Sequence, residues 1–489
     1  MGIIANQAKR NLVFIGLGFL AGAINTLLVL PHAFEFFPEG WGTLRLIIAT
    51  FMILSQIFSF GATNIIIRFL NRQREQPGGV LRYVFWIVLA GIGLMSASLI
   101  IGGEAMTKLI FKEEAVLIEG KLHLIGILAG SYILFLMFQG YVNAILKSSF
   151  HQFLNETFLK GYYLGIASLF LFGILSFDQL LIGFVGGYIL ATLILIIYSV
   201  AHGYTLRHGD EVLPKREMMV YGAYSVLDKG ATTIVNQLDV LMVGLLMTVS
   251  NVGLYAFAAY IGTLVQMPQR AILAVANPIA SKALSENDHQ TLADVYNKSC
   301  RDQLILGGII FVAVWVSIDE LMSLMPGEFG NGKWVVLFIG LSKLTYMASG
   351  VSGGILVYSR YFRTNLWLNL SLIGLTIGTN YLFISPQFLG LGIEGAAIAT
   401  ALTFLIYNAL KMIFINEKFG INPANRKFCL IALLIAAAAL IHMIKIEASP
   451  YLIIPLKSGI SIIILGVLIY LMKLSPDINT QVNNFLKKG

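Results

Sequence analysis

The sequence predicts an all-α, polytopic membrane protein with about 14 transmembrane helices. Of its 489 residues, 57% are hydrophobic and only 12% are charged, and the mean hydropathy is +0.81. The core of a bilayer requires about 20 apolar residues per helix, and apolar runs of this length follow one another almost end to end. The alternating pattern of membrane β-barrel strands is missing from the sequence, so helices are the expected spanning elements.

The positions of the spans follow from the polar gaps between the apolar runs. We predict spans at 12–31, 43–68, 82–102, 122–146, 158–177, 179–202, 219–247, 252–278, 303–322, 335–358, 365–385, 394–416, 428–445 and 452–472. The first run follows Lys9 and Arg10. It is longer than the core of a secretory signal, and no small-residue cleavage site follows it, so we expect it to be retained as a span.

The distribution of basic residues predicts the orientation of the chain. With a cytoplasmic N-terminus, 23 Lys and Arg lie on the inner side or at inner helix ends, eight lie toward the outer side, and two lie within spans. The acidic residues divide as 11 inside, 12 outside and two within spans, which leaves +12 inside and −4 outside. This is the asymmetry of the positive-inside rule, and it also places the C-terminus in the cytoplasm. The net charge of +8 is thus a topology signal, and we expect no nucleic-acid partner.

The predicted loops are short and leave no room for a soluble catalytic domain. The longest inner segment, 281–302, is polar with helical spacing, and we expect a connecting helix on the membrane face. Cys300 and Cys429 have neither the number nor the spacing of a disulfide framework or a metal site. We therefore predict a protein that is not an enzyme and that has no cofactor, metal or catalytic residue.

A weak internal repeat predicts two halves of six spans each. Asn25 and Asn236 lie 211 residues apart, as do Gly42 and Gly253, which open spans 2 and 8. Because six is even, the two halves have the same orientation. We predict an N-terminal lobe at 1–205, a C-terminal lobe at 206–420, and two additional helices with a cytoplasmic tail at 421–489.

Four spans carry polar residues at helical spacing, which places those residues on one face of each helix. Span 2 has Arg45, Gln56, Ser59 and Thr63; span 7 has Ser225, Lys229, Thr232, Asn236 and Asp239; span 8 has Thr263, Gln266, Arg270 and Asn277; and span 10 has Lys343 and Tyr346. Such faces avoid lipid and line either a cavity or a contact between packed helices, and both interpretations stay open here.

Three basic residues, Lys229, Arg270 and Lys343, lie well inside apolar runs. A charge at that depth costs between ~2.5 and over ~10 kcal/mol. Asp239 and Lys343 both lie about 12 Å from the outer ends of their spans, so an ion pair between them is an alternative to a binding role. Lys229 and Arg270 have no evident acidic residue at their level, and an anionic ligand is the simplest partner. Arginine binds phosphate through two parallel N–H donors of its planar guanidinium group, and lysine attracts phosphate as a compact positive charge.

Pro268 lies two residues before Arg270 and interrupts the hydrogen bonding of span 8. Bent helices beside a charge occur where transporters bind or move, and also as simple packing kinks. We predict a substrate-binding set of Lys229, Arg270, Lys343, Asn25, Asn236, Gln266 and Arg45, with Asp239 as the candidate for proton or sodium coupling.

The sequence resembles the polysaccharide-transporter family. The resemblance rests on the 14 spans, the two halves, the segments 18–25 (GFLAGAIN), 236–239 (NQLD) and 253–255 (GLY), and Gly42. This family contains the Wzx-type O-antigen and lipid-linked oligosaccharide flippases of the multidrug/oligosaccharidyl-lipid/polysaccharide superfamily. The resemblance implies a V-shaped, two-lobed bundle in the bacterial inner membrane that works by alternating access. It implies a polyprenyl-diphosphate-linked O-antigen or exopolysaccharide repeat unit as substrate, membrane lipids around the chain, and a role beside other polysaccharide assembly proteins.

Three other functions fit the sequence less well than glycan-lipid transport does. Multidrug cation exporters of the same fold have acidic cavity residues in the first lobe, whereas spans 1–6 of this sequence show no deep acidic residue. Cation export stays an open alternative because of Asp239 in span 7. Peptidoglycan-precursor flippases keep several arginines in spans 1 and 2, whereas span 1 has none and Arg45 lies near an outer end. A membrane glycan polymerase or ligase requires a large outer catalytic loop, which the spacing of the spans does not provide.

Overall fold

The computed structural model describes most of the chain. The described residues are 2–70, 77–111, 117, 120–206, 213–444, 446, 448–476, 479–480 and 483, and the side chains of 2–9, 11, 12, 77, 228 and 229 lie outside the description. Within these ranges every regular element is a helix. The predicted all-α class is therefore confirmed.

The chain divides into two compact units, Met1–Gly253 and Leu254–Gly489. The helices of the first unit are α1 (Gly2–Ile24), α2 (Leu30–Ala33), α3 (Pro38–Phe58), α4 (Ala62–Leu70), α5 (Pro77–Phe111), α6 (Leu122–Ala144), α7 (Ser148–Gln152), α8 (Leu159–Leu171), α9 (Phe177–Ala201), α10 (Lys215–Ser225) and α11 (Ala231–Leu246). The division falls inside α12 (Val249–Thr263). The second unit contains α13 (Gln269–Ser285), α14 (His289–Trp315), α15 (Ile318–Ser323), α16 (Lys333–Ala348), α17 (Ser352–Tyr358), α18 (Phe362–Ile384), α19 (Gly392–Phe419), α20 (Arg426–Ala439) and α21 (Pro450–Leu471).

In the described part of the chain, a helical segment corresponds to each predicted span in the same order, and the chain is a multi-pass membrane protein. In the described ranges, nine helices are by themselves long and apolar enough to cross a bilayer, and ten if the bent pair α16–α17 is taken as one span. The total of 14 stays a prediction, because the segments of spans 5, 7 and 8 are divided into shorter helices and α14, which covers part of span 9, is long but is not among the qualifying helices. The division into lobes at residues 205 and 420 also stays a prediction.

Three local expectations were wrong. Span 2 is not continuous: α3 ends at Phe58 and α4 begins at Ala62, with positive φ at Phe60 (47°) and Gly61 (71°). Span 5 begins ten residues earlier than predicted, at Ser148. The segment 281–302 is not a separate connecting helix, because α13 continues to Ser285 and α14 begins at His289. Asp288, the last residue between the two helices, is the N-terminal cap of α14, since its carboxylate accepts a hydrogen bond from the Thr291 amide at 3.0 Å.

Three helices of the first unit contain a π-helical turn, a feature that is frequent at functional sites. The first turn is Asn25–Val29, the second is Phe153–Phe158, and the third is Val226–Gly230. Each carries polar residues in an otherwise apolar span. The second turn packs on α1, where the Thr157 hydroxyl donates to the Phe14 carbonyl at 2.9 Å. Each turn widens the helix locally and changes the direction in which its side chains project.

Glycines permit the closest helix crossings of the first unit. A Cβ atom at Gly42 would overlap the carbonyl oxygen of Val249, and a Cβ at Gly253 would lie 2.9 Å from the carbonyl oxygen of Pro38 and 3.2 Å from the amide nitrogen of Gly42. These two glycines are one of the two residue pairs on which the predicted 211-residue repeat rests, and they let the N-terminal parts of α3 and α12 approach closely. The repeat itself stays a prediction.

Replacing Gly18 with alanine is expected to destabilise the protein by about 1–3 kcal/mol, because its Cβ would overlap the carbonyl oxygen of Glu156 in the second π-helical turn. Gly16 of the same helix has no atom within 4 Å of its would-be Cβ. Gly16→Ala should therefore be neutral or stabilising by up to about 1 kcal/mol through helix propensity. Thermal unfolding of the two detergent-purified variants measures the difference, and equal melting temperatures would contradict the predicted crossing.

The second unit is organised around α14. Its core contains Val312 of α14, Leu344 and Met347 of α16, Ile435 of α20 and Leu465 of α21, so the two C-terminal helices pack on the same core as the rest of the unit. The Ser458 hydroxyl of α21 donates to the Ala313 carbonyl of α14 at 2.7 Å. Ser299 of α14 also contacts the break between α16 and α17, as described below.

Candidate functional site

In the first unit, the predicted residues Asn25 and Arg45 lie in partly buried positions. Asn25 begins the first π-helical turn, and among the described residues its Oδ1 atom has no hydrogen-bond partner. Arg45 of α3 lies over the Trp41 ring at 5.7 Å from the centroid, and its Nε atom is buried without a described hydrogen-bond partner. Both side chains thus have hydrogen-bonding capacity toward a ligand.

Aromatic residues of four helices surround the same part of the unit. Tyr188 of α9 packs edge-on against Phe51 of α3 at 5.1 Å and against Tyr132 of α6 at 5.6 Å, and it lies 5.8 Å from Tyr163 of α8. Tyr188 is also within electrostatic reach of Arg45. Flat rings with hydroxyl groups are suited to stack on sugars and to bond their hydroxyls. The sequence reasoning did not identify this cluster, because its members come from four separate spans.

The predicted polar stripe of span 7 is divided by the third π-helical turn. Lys229 lies in this turn, and its side chain falls outside the described part of the structure. The adjacent Gly230 packs on Gln56 of α3, where an added Cβ would lie 3.0 Å from Gln56 Cγ, so the predicted stripes of spans 2 and 7 meet there. On α11, Asn236 is exposed and Asp239 is buried and interacts with other residues.

The predicted interruption of span 8 is present. A 3₁₀ turn, Leu264–Gln266, separates α12 from α13, and Pro268 immediately precedes the first residue of α13. Across the break, Gln266 Nε2 donates to Gln269 Oε1 at 2.6 Å. Arg270 follows on α13 and is exposed, and it also takes part in an interaction within the structure. The guanidinium group of Arg270 thus lies one residue after Gln269, whose side chain is hydrogen-bonded to Gln266 across the break.

Span 10 is broken as well. The axes of α16 and α17 differ by 49°. Gly350 in the break has φ +56°, and an added Cβ there would lie 2.6 Å from Ser299 Oγ of α14. Ser299 in turn accepts a hydrogen bond from the Val351 amide at 3.1 Å. Helices broken in this way can direct backbone groups and buried charges at a transported substrate.

Two buried lysines lie on the helices that pack around this break. Lys343 of α16 is 9% exposed and lies over the Phe404 ring of α19 at 5.0 Å. Lys411 of α19 is 5% exposed and lies over the Tyr407 ring at 4.3 Å. Both lysines have interactions in the structure. Asp239 belongs to the first unit and Lys343 to the second, and the predicted ion pair between them stays a prediction.

The polar surroundings of Lys411 come from three further helices. The hydroxyl group of Tyr407 donates to Asn369 Oδ1 of α18. A Cβ at Gly353 of α17 would lie 3.8 Å from Lys411 Nζ, and a Cβ at Gly354 would overlap Asn277 Oδ1 of α13. The two glycines thus bring the backbone of α17 close to both polar side chains. We call Lys343, Lys411, Tyr407, Asn369 and Asn277 the broken-span cluster.

Sequence reasoning identified Lys343 and missed Lys411, which it counted as a charge at an inner helix end. The available signal was its spacing. Lys411 lies one helical turn after Tyr407 and two turns after Phe404, so it continues the α19 face that packs on α16.

The first unit contains a buried acidic residue that the sequence pattern did not predict. The absence of acidic residues deep in the membrane from spans 1–6 stays a prediction. Glu156 is 5% exposed in the second π-helical turn, eight residues into the helical segment that begins at Ser148. It forms an ion pair with Lys160 at 2.8 Å, and Asn155 Nδ2 lies 3.5 Å from its other carboxylate oxygen. The late predicted start of span 5 had placed Glu156 in an inner loop.

Comparison with known proteins agrees with the fold described above. Residues 8–284 match the family model described as polysaccharide biosynthesis protein. A probable low-salt glycan biosynthesis flippase, Agl15 of Haloferax volcanii, is 25% identical over 230 residues, which cover 46% of this chain and 48% of the relative. The chain thus spans about half the length of the curated relative that it matches.

Solved structures show the same architecture. The lipid II flippase MurJ in an inward closed conformation superposes with a TM-score of 0.72 at 14% identity, covering 96% of this chain and 100% of that one. An inward-facing multidrug resistance MATE family transporter of the MOP superfamily superposes with a TM-score of 0.65 at 13% identity, covering 84% and 98%. At these identities the likeness shows the fold alone.

Proposed function

The chain belongs to the polysaccharide biosynthesis protein family, and from this premise we propose that it is a flippase for a polyprenyl-diphosphate-linked oligosaccharide. It would move this substrate from the inner to the outer leaflet of the bacterial inner membrane by alternating access of two lobes, 1–205 and 206–420, with both termini cytoplasmic. The glycan would be an O-antigen or exopolysaccharide repeat unit made by other assembly proteins. The relative from Haloferax volcanii, named a probable low-salt glycan biosynthesis flippase, supports a role in glycan translocation.

The observation that carries the proposal is the pair of buried lysines in the broken-span cluster. An ionisable side chain inside a membrane helix is expensive and usually marks a substrate or ion pathway. Lys343 and Lys411 are both less than one-tenth exposed, and they lie on α16 and α19 beside a broken helix. A diphosphate is the charged part of a polyprenyl-diphosphate-linked glycan, and a buried lysine beside a broken helix is suited to bind it.

The other predicted residues take roles that suit their chemistry. Lys229 of the first unit and Arg270 of the second are the further candidates for binding the diphosphate. Asn25, Asn236, Gln266 and Arg45 would bond sugar hydroxyls, with the aromatic residues around Tyr188 as stacking surfaces. Asp239, a buried carboxylate of α11, would couple transport to a proton or a sodium ion.

Export of an organic cation is the second candidate, and one observation favours it. Glu156 is a buried carboxylate of the first unit, where it lies within a π-helical turn that packs on α1. A carboxylate in such a position can bind a cation in exchange for the proton or the lysine that neutralises it. Its ion pair with Lys160 lowers the attraction for an external cation, so we prefer the anionic substrate.

A leaflet-transfer assay with the purified full-length chain in liposomes tests the proposal. A fluorescent polyprenyl-diphosphate oligosaccharide is placed in both leaflets, and a membrane-impermeant quencher reports the fraction that reaches the outer one. We expect complete quenching with the protein and about half quenching in protein-free liposomes. Unchanged quenching, together with uptake of a fluorescent organic cation, would reverse the preference between the two candidates.

A further inference from the structure

A cavity of about 520 Å³ lies within the first unit, beside the start of the second π-helical turn. Its described lining residues are Arg10, Phe14, Lys147, Ser149, Phe150, Phe153 and Tyr198. Two of them are cations, one is a hydroxyl residue and four are aromatic, and none is acidic. The cavity therefore combines positive charge with a large apolar surface.

The position of the cavity follows from the ends of three spans. The apolar spans run over Val13–Ala33, Leu122–Ala144 and Phe177–Ala201. Arg10 lies three residues before the first of these, Lys147 lies three residues after the second, and Tyr198 lies three residues before the end of the third. The cavity thus lies at one end of the bundle, where apolar helices meet water, with its two cations just beyond the apolar segments.

The aromatic residues form the wall of the cavity in pairs from different elements. Phe150 stacks on Tyr198 with ring centroids 3.8 Å apart, and Phe14 of α1 packs edge-on against Phe153 at 5.3 Å. Ser149 adds a polar group, since its buried Oγ atom has no hydrogen-bond partner among the described residues. A hydroxyl without a described partner, in a lining that also holds two cations, is suited to an anion that accepts a hydrogen bond.

We propose that this cavity binds the phosphate headgroup of an anionic glycerophospholipid of the surrounding bilayer. Arg10 and Lys147 bind the phosphate oxygens, Ser149 donates a hydrogen bond to them, and the aromatic wall contacts the glycerol and the first part of the acyl chains. Basic residues at this level are attracted to anionic lipid surfaces. A free phosphate ion would contact the cations and leave the apolar surface of the cavity wall uncovered.

The surface of α1 offers a path for the acyl chains. Val13, Leu17, Leu20 and Ile24 are all between 44% and 58% exposed and follow one another at helical spacing along one face. This apolar stripe begins one turn after Arg10, at the cavity, and runs toward the other end of the helix. A lipid with its phosphate in the cavity can therefore lay an acyl chain along α1.

Thermal unfolding of the detergent-purified full-length chain, titrated with lipid, tests the proposal. Phosphatidylglycerol should raise the melting temperature of the wild-type protein at concentrations where phosphatidylcholine and inorganic phosphate do not. The double variant Arg10→Gln/Lys147→Gln should require roughly tenfold more phosphatidylglycerol or higher, as expected for the loss of two cations near anionic headgroups. The matched control is Lys215→Gln/Arg216→Gln, which removes two exposed cations of the same unit outside the cavity and should respond like the wild type.

The variant Ser149→Ala provides a second test of the same site in case the double variant folds poorly. Because it removes a buried hydroxyl without a described partner, it should fold normally and weaken the response to phosphatidylglycerol by roughly tenfold, the contribution of one charge-assisted hydrogen bond at about 1.5 kcal/mol. Three results would overturn the proposal: a normal phosphatidylglycerol response in Ser149→Ala and the double variant, an equal response to phosphatidylcholine, or saturation by inorganic phosphate alone.

Discussion

Replacing Arg270 with alanine is expected to lower glycan transport about 100-fold while the amount of folded protein stays normal. Arg270 is exposed on α13, directly after the break at Pro268, so its removal leaves no cavity in a packed core. A guanidinium group that binds a phosphate in the bidentate manner makes two charge-assisted hydrogen bonds, each contributing about 1.5 kcal/mol. The loss of both corresponds to roughly two orders of magnitude.

The leaflet-transfer assay measures this effect, with Lys282→Ala as the matched control. Lys282 lies on the same helix, and its side chain is 73% exposed, so its removal should leave the rate unchanged. Comparing diphosphate-linked with monophosphate-linked glycan adds a second readout. If Arg270 contacts the phosphates, the variant should lose much of the wild-type preference for the diphosphate. Transport that survives Arg270→Ala combined with Lys229→Ala would exclude an anion site at these residues.

The order and type of the helices could be predicted because burial in a bilayer imposes a length and an apolar composition on each span. The predicted span 122–146 and α6 (Leu122–Ala144) differ by two residues at one end. The interruption at Pro268 was predictable for a similar local reason, since proline removes a helical hydrogen bond wherever it occurs. Features that depend on one residue's own chemistry were thus accessible from the sequence.

The missed features depend on contacts between helices. The π-helical turn that buries Glu156 has no sequence pattern of its own, and it forms where α1 approaches at Gly18. The break at Phe60 and Gly61 likewise occurs where Gly61 meets the Gly222 carbonyl of α10, 2.5 Å from a would-be Cβ. Because no single segment encodes such contacts, the two spans appeared regular and Glu156 appeared to lie in a loop.

Replacing Lys411 with methionine is expected to abolish transport, and the melting temperature of the variant distinguishes a binding role from a structural one. Methionine has nearly the same length and removes only the charge, and burying an apolar side chain in place of a lysine recovers desolvation free energy. If Lys411 serves the substrate, the wild-type protein bears this cost for binding, and the variant should melt at the same temperature or higher. If Lys411 only neutralises a neighbouring group, its loss leaves that group unpaired and the melting temperature falls.

Two further variants separate charge from shape at this position. Lys411→Arg keeps the positive charge beside Tyr407 and should retain part of the transport activity, since arginine also binds phosphate and aromatic faces. Lys418→Met removes an exposed lysine from the same helix and should transport at the wild-type rate. Transport and melting temperature of all three variants are measured in parallel. A binding role requires that transport be lost when the positive charge at residue 411 is removed and partly kept when arginine replaces lysine, with the same melting temperature or a higher one in each variant. Normal transport in Lys411→Met would remove this residue from the proposed site.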